Sequence, residues 1–451
     1  MTRQIPRNFI IPVETLNREL DGKLLLALYA LGRGWRPIIG GRTIINNELP
    51  ALPQSVMLGK GVRVGNKLVF WMAEQLGHII VSLDEESLVR LNDEALYMMF
   101  DAATFNRPRI LYAWGHDNAQ MWRGFRAYAG APIIESGNPR IDMLRPEYRG
   151  FYEDEAARIR KHYGRHVLFS SNFSFVNHYI PDHTRFRVTG DAPAERSGEL
   201  LTGIKAHKQA IYDAFIALIP DLARAIAPAN LVVRPHPSEN AASWSAAAQG
   251  LANVHVVHEG PIAPWLMAAS VLIQNGCTSA VEAAILGTPA ISFRPVKSAE
   301  FDPSLPFAVS TAAATPEAMI SGVKDAFDGR WHFPDSGRAE LANCIASLDG
   351  AFACERILDA LETHRDRLEA APAQSAARRF LGLGVHAQRS LRRSIGTRLQ
   401  GKSNAAYSAH KFPGLDEEVL TAKIAKFRLL NPALPAARVV KLRYSIFALQ
   451  T

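Results

Sequence analysis

The chain has little cysteine and no long apolar run. Three cysteines in 451 residues, Cys277, Cys344 and Cys354, are too few and too scattered for a disulfide framework, and they lack the spacing of metal ligands. Cys277 has no base beside it in the sequence and reads as a small packing residue rather than a nucleophile. No stretch of about 20 apolar residues would span a membrane, and Met1 to Ile10 lacks the apolar segment of a secretory signal, so a cytoplasmic location is expected. Neither G-x-x-x-x-G-K-[ST] nor G-x-G-x-x-G follows a strand-like run. Their absence argues against ATP hydrolysis on a phosphate loop and against hydride transfer from a dinucleotide. No internal repeat and no metal-ligand cluster is visible, and metal-independent chemistry is expected.

What is present is ordinary for a folded enzyme: 48% hydrophobic and 21% charged residues, over a length that suits two α/β domains. Short apolar runs at Phe9 to Val13, Ile38-Ile39, Ser55 to Leu58, Ile79 to Leu83, Arg109 to Ala113 and Ile133-Ile134 read as strands. Helical stretches alternate with them at Gly22 to Leu31, Asn66 to Leu76 and Glu85 to Asp101, a pattern that predicts a parallel sheet. Gly137-Asn138-Pro139 breaks it, Tyr148 to Tyr163 reads as a charged helix, and a second series begins at Val167 to Ser170. That series continues through a helix near Ile204 to Leu218, strands at Leu231 to Val233 and Val254 to Val257, a helix near Ile262 to Ala269, and strands at Val271 to Ile273 and Ala290 to Phe293. The expected domains are 1–150, 151–375 and a tail at 376–451.

The formal charge of +8 is unevenly spread. From Ala376 to Thr451 there are fourteen Lys or Arg against three acids, Asp416, Glu417 and Glu418, a net of +11 that leaves the first 375 residues at −3. Arg378-Arg379, Arg389, Arg392-Arg393 and Arg398 interleave with Phe380, Leu381, Leu383, Leu391, Ile395 and Leu399. Such an amphipathic segment suits an anionic membrane surface, or equally a solvated face or an oligomer contact. Stacking aromatics are sparse there, so no nucleic acid partner is expected.

Two strand-to-loop junctions carry the chemistry. Arg234-Pro235-His236-Pro237-Ser238-Glu239 closes one apolar run, and Asn275-Gly276-Cys277-Thr278-Ser279 opens a helix that carries Glu282. A helix starting at Thr278 or Ser279 offers unpaired N–H groups and a positive dipole end to a phosphate or carboxylate. Glu282 would reach the two hydroxyls of a ribose. Alternatively, Ser279 is an N-cap and Glu282 completes a capping box, with no ligand involved. Arg234 and His236, suited to a nucleotide phosphate, tip the balance toward binding. In open α/β sheets ligands collect at strand carboxyl ends, and with two such domains the site is expected in the cleft between them. Glu14, Ser170-Ser171-Asn172 and Glu259-Gly260 occupy comparable positions.

Taken in order, RELDGKLLLA from Arg18, Gly137-Asn138-Pro139-Arg140-Ile141-Asp142, Ser171-Asn172-Phe173 with Val176-Asn177-His178, RPHPSE and NGCTSAVEAAILGTP resemble the bacterial surface carbohydrate biosynthesis proteins, over about Glu14 to Phe293. The resemblance implies a GT-B-like α/β fold, two Rossmann-type domains facing across a cleft, here followed by the helical basic tail. It implies a glycosyltransferase similar to those using CMP-activated acid sugars such as Kdo or nonulosonates, with CMP-sugar favoured over UDP-sugar as substrate and no separate cofactor.

On that reading Arg234 and His236 hold the donor phosphate with Thr278 and Ser279, and Glu282 or Glu259 fixes ribose or base. Ser171, Asn172, Ser238, Glu239 and Asn275 complete the donor side. Glu14 and Asp21 lead as acceptor-side bases, with Glu19 beside them, although Asp21 before Gly22 is also a good helix N-cap. Lys23 and Arg18 would meet an anionic acceptor, a surface glycan or its lipid-linked precursor, and His178 either lines the cleft or packs on Phe173 and Tyr179. Peripheral attachment at the inner face of the cytoplasmic membrane follows if the tail binds lipid. Three alternatives remain: a nucleotide-sugar 2-epimerase of the same shape, a non-catalytic polysaccharide-assembly binding protein, and a teichoic-acid-type polyol phosphotransferase using a cytidine nucleotide.

Overall fold

A computed structural model describes residues 5–179, 194–399 and 412–451. In chain order its strands are β1 Asn8–Val13, β2 Arg36–Gly41, β3 Val56–Lys60, β4 Ile79–Leu83, β5 Leu111–Ala113, β6 Ile133–Glu135, β7 His166–Ser170, β8 Asn230–Arg234, β9 Val254–Val256, β10 Val271–Gln274, β11 Ala290–Phe293, β12 Thr311–Ala313, β13 Arg438–Arg443 and β14 Ile446–Gln450. Two compact units result, one comprising Met1–Glu86, Met99–Phe151 and Ile345–Thr451, the other Ser87–Met98 and Tyr152–Cys344.

In the first unit the sheet runs β13-β14-β2-β1-β3-β4-β5-β6. From β2 to β6 all pairs are parallel, with Ile10 opposite Ile38 and Met57 opposite Ile80. The strands are continuous apolar runs because helices cover both faces, which leaves no solvent side for polar alternation. β1 is followed on one side by β2 and on the other by β3, so the strand order reverses between β1 and β3.

In the second unit the order is β12-β11-β10-β7-β8-β9, every pair parallel. Counted from β7 this is the doubly wound Rossmann order, reversing between β7 and β10. Phe169, Phe215, Phe173 and Trp244 form one wall of its core, with Phe169 stacked on Phe215 at 4.5 Å between centroids.

Two expectations are corrected. The helix read over Glu85 to Asp101 is one short helix, Asp93–Tyr97, with a second, Ala102–Phe105, starting just beyond that span, because Asn92 and Asp101 each turn a side-chain oxygen onto a later backbone N–H as N-caps. The basic tail, read as a segment apart from 376 onward, belongs to the first unit, which the chain rejoins at Ile345. Its helix Ala376–Leu399 lies on helix Lys67–Gln75, with Gly382 against Gln75 and Leu76. Helix Glu417–Leu430 stacks Phe427 on Phe151 at 4.5 Å, and the hairpin β13-β14 pairs antiparallel with β2. Ile446, Phe447, Ala448 and Leu449 are buried there, and pairing closes an edge that β2 would otherwise leave open.

Candidate functional site

The reversal between β7 and β10 brings two predicted loops together. Asn172, just past β7, donates from Nδ2 to the Gly276 carbonyl at 3.2 Å, and Asn275 returns a longer bond of 3.4 Å to the Asn172 carbonyl. Gln274 at the end of β10 shapes the turn: its Oε1 accepts from Gly276 N at 2.5 Å and Cys277 N at 3.0 Å, while its Nε2 donates to the Pro306 carbonyl and Ser310 Oγ. Gly276 has φ +84°, and a Cβ there would meet Pro303 at 2.9 Å, so only glycine fits. The chain then enters helix Thr278–Leu286 from Cys277 without a side-chain cap.

This corrects the capping-box alternative. Ser279 is the second helical residue and Glu282 the fifth, so neither stands at a capping-box position. Ser279 is 3% exposed and its Oγ has no hydrogen-bond partner among the described residues, nor does the buried Asn275 Oδ1. Thr278 is half-buried and Glu282 buried in the same helix. Uncapped first-turn N–H groups and unused polar atoms beside them are what an anion would complete.

Beyond β8, Arg234 and His236 have different surroundings. Arg234 is buried over the Trp265 ring, 4.6 Å from its centroid, and its guanidinium donates to the carbonyls of Glu259 (2.6 Å) and Gly260 (3.1 Å). Burial pushes its pKa down to about 10 against the pull of Glu155 and Glu259. It therefore braces the Glu259 turn, leaving the exposed Glu259 side chain at the surface. His236 is half-buried, and its Nδ1 accepts from Ser238 N at 3.2 Å, which places the proton of the neutral ring on Nε2.

Glu239 is the organiser. Its buried carboxylate accepts from Ser171 Oγ (2.8 Å), Phe173 N (2.7 Å), Trp244 Nε1 (3.0 Å) and, more weakly, His236 N (3.4 Å). Burial nonetheless pushes its pKa up. Ser171 Oγ also accepts from His236 N at 3.3 Å, and Ser238 is fully buried with its carbonyl bonded to Tyr179 N. His178 forms an isolated antiparallel bridge with Glu239. Ser171, Ser238 and Glu239 thus hold the loop, while His236, Asn172, Asn275, Thr278 and Ser279 lie along the carboxyl ends of three adjacent strands, spanning roughly 10 Å.

One cation in this unit escaped the sequence reading. Lys208 follows His207 on helix Ala194–Ile226, and it forms no ion pair among the described residues. His207 Nε2 lies 2.8 Å from Asp302, whose other oxygen takes Arg294 at 2.6 Å and Ser298 N at 3.1 Å. Burial lowers the Lys208 pKa, against the attraction of Asp302 and of Cys277, the residue that opens the site helix. A lysine within a 33-residue helix carries no local signature, so only tertiary structure could reveal it.

At the other reversal, between β1 and β3, the first unit gathers charges. Glu14 accepts from Arg42 (2.6 Å) and Lys60 (2.8 Å). Glu19 is buried; it accepts from Glu14 N (2.9 Å) and Lys23 (2.8 Å) and pairs with Lys60 at 3.3 Å. Glu85 pairs with Lys23 at 3.2 Å and Glu86 with Lys60 at 3.0 Å. Burial alone would raise the carboxyl pKa values of Glu14, Glu19 and Glu86, but Lys60, with Lys23, Arg42 and Arg18, holds all three below the ordinary range.

Asp21 lies elsewhere: it is inside helix Leu16–Gly32, bonded to Lys423 at 2.6 Å, and not an N-cap, since the helix starts five residues earlier. Lys23 and Arg18, read as hands for an acceptor, are engaged with Glu19 and the Pro12 carbonyl, and with Glu85 and Glu86. Among the described residues no three His, Cys, Asp or Glu side chains group as metal ligands would.

No protein-family model matches the chain, and no curated protein matches it. Solved structures do. The wall teichoic acid polymerase TagF in a structure soaked with CDPG is 12% identical, over 81% of this chain and 90% of that one, with a TM-score of 0.50. Another TagF structure gives 11%, 82%, 91% and 0.50. A Listeria monocytogenes protein named as a UDP-N-acetylglucosamine 2-epimerase gives 14%, 83%, 100% and 0.49. Likeness at such identity speaks to fold: the chain has a GT-B-like α/β fold built of two Rossmann-type domains.

Proposed function

We propose that the chain is a glycosyltransferase that moves a sugar from a nucleotide donor to a bacterial surface glycan or its precursor, with a CMP-activated acid sugar as the favoured donor. The observation that carries this reading is the uncapped helix at Thr278-Ser279, at the strand-order reversal, beside unused buried polar atoms and two strands away from the loop of His236. In the proposed complex the helix N-terminus and Lys208 receive the phosphate, His236 donates from Nε2 as charge develops on the leaving nucleotide, and Glu282 or Glu259 takes the ribose or base. Glu14, the most solvent-accessible carboxylate of Glu14, Glu19 and Asp21, is the proposed acceptor-side base.

A second reading, transfer of a polyol phosphate from a cytidine nucleotide, is supported by the fold shared with the teichoic acid polymerase and its CDPG soak. Both readings expect a cytidine nucleotide. Calorimetry with CMP, CDP, UDP and ADP on the full chain tests them: cytidine-selective binding, weakened about tenfold in His236→Ala and retained in EDTA, is expected, a loss of about 1.4 kcal/mol. A UDP preference would favour the epimerase alternative, and no nucleotide binding would remove transferase activity from consideration at this site.

A further inference from the structure

The helix Ala376–Leu399 carries six arginines and no acid, and its two faces are unlike. One face is seated. Arg378 donates to Gln75 at 3.1 Å, Gly382 lies against Leu76, His386 bonds the Asn47 carbonyl at 2.6 Å, and Arg389 reaches the Asn46 carbonyl at 3.3 Å. These positions recur every three or four residues and define the inner stripe. The opposite stripe exposes Phe380 (78%) and Leu391 (63%), with Leu383 and Leu381 at its margins. Arg379 and Arg392, both exposed, lie on either side of it by helical geometry. An apolar stripe between arginines, on a helix already held by its other face, is the pattern of a segment lying in a lipid interface.

Arg379 also lines a cavity of about 510 Å³ in the same unit, together with Arg36 and Arg443 and the apolar side chains of Leu52, Leu76 and Leu442. Arg36 Nε is buried there without a hydrogen-bond partner among the described residues. Among the described residues Arg443 pairs with one carboxylate, Glu48, at 3.9 Å. Three guanidinium groups against one distant carboxylate among the described residues suit an anion, and the apolar walls suit an anion with hydrocarbon attached.

We propose that the outer stripe of helix Ala376–Leu399 and this arginine-lined cavity form one docking surface for an anionic lipid bilayer. Phe380 and Leu391 enter the acyl boundary, and the cavity takes a lipid phosphate headgroup. The surface goes beyond the transferase reading and does not depend on it.

Co-sedimentation of the full chain with phosphatidylcholine vesicles, with and without 30% phosphatidylglycerol, tests it. Binding to the anionic vesicles is expected, at least tenfold tighter than to neutral ones and weakened by salt. Phe380→Ser with Leu391→Ser should weaken it about tenfold, as should Arg36→Gln with Arg379→Gln. Both pairs should keep the wild-type melting temperature and CMP affinity, which separates failure of this surface from failure of the nucleotide site. If the Phe380 pair melts early, Arg392→Gln with Leu391→Ser replaces it; if the arginine pair does, Arg379→Gln alone, at an exposed residue of the cavity rim, replaces it. Equal sedimentation with neutral and anionic vesicles would overturn the proposal. So would wild-type binding in the variants, saturable binding of inorganic phosphate without vesicle binding, displacement from vesicles by stoichiometric duplex DNA, or a dimer in sedimentation velocity that the Phe380→Ser pair dissolves.

Discussion

Arg234 and His236 are two residues apart in sequence and perform different tasks. The arginine spends its donors on two backbone carbonyls and packs on Trp265, whereas the histidine has its Nδ1 fixed by Ser238 and its ring half-buried. Arg234→Ala should therefore be a stability variant, leaving carbonyls of Glu259 and Gly260 without their donor at a cost of about 1–3 kcal/mol. Its melting temperature should fall clearly while His236→Ala melts within about 0.5 kcal/mol of the wild type. The opposite ranking, a silent Arg234→Ala with normal folding and lost nucleotide affinity, would return the arginine to the ligand. The RPHPSE motif was legible as a polar loop closing a strand, but this division was not, because a guanidinium suits a phosphate and a pair of carbonyls equally well. Glu239 was undecided in sequence for a similar reason: a carboxylate in a polar loop suggests a ligand contact, and only the structure shows four donors converging on it.

Among the elements, strands were the most legible part of the chain. Each predicted apolar run became a parallel strand, since burial on both faces leaves a continuous run that sequence displays directly. The turn after β10 was legible in composition but not in wiring. Gln274 reads as the polar end of a strand, yet it supplies the acceptor that holds Gly276 and Cys277 in place. Gly276→Ala should be costly for two reasons: the backbone is at φ +84°, and the added Cβ meets Pro303 at 2.9 Å. A loss of about 1–3 kcal/mol in thermal unfolding is expected, with a larger proportional loss of nucleotide affinity because the helix N-terminus moves with the turn. Retained affinity at wild-type stability would show that the turn geometry is not needed. The hairpin β13-β14 was missed because six or so apolar residues at the end of a basic tail carry no sign of the distant strand they join.

For the molecule as a whole, the two units hold unequal numbers of carboxylates below their ordinary pKa. In the first unit Glu14, Glu19 and Glu86 have folded pKa values below their ordinary 4.5, held there by lysine and arginine against the opposing effect of burial. Their contribution is complete above 4.5 and is lost as pH falls below it toward the lowered folded values. Asp142 works the other way in the same unit: burial pushes its pKa up to about 6, so it costs stability as pH rises through 6. In the second unit burial raises Glu239, whose protonation on acidification relieves a buried charge instead of breaking an ion pair, although Asp302, paired with Arg294, is held low. With Asp101 and Glu147 also held low, five carboxylates against one in the first unit, and two (Asp302 and Glu317) against one in the second, predict that acid attacks the first unit earlier. Hydrogen exchange followed by mass spectrometry between pH 7 and pH 3 should show β1 and β3 losing protection at a higher pH than β7 and β8. Glu19→Gln breaks the buried pair and should cost about 3–5 kcal/mol at pH 7. The same substitution should flatten the acid dependence of the first unit while leaving that of the second unchanged. Coincident loss of protection in all four strands, with the same pH slope in Glu19→Gln, would mean that the Lys60 cluster does not control the acid limit of the protein.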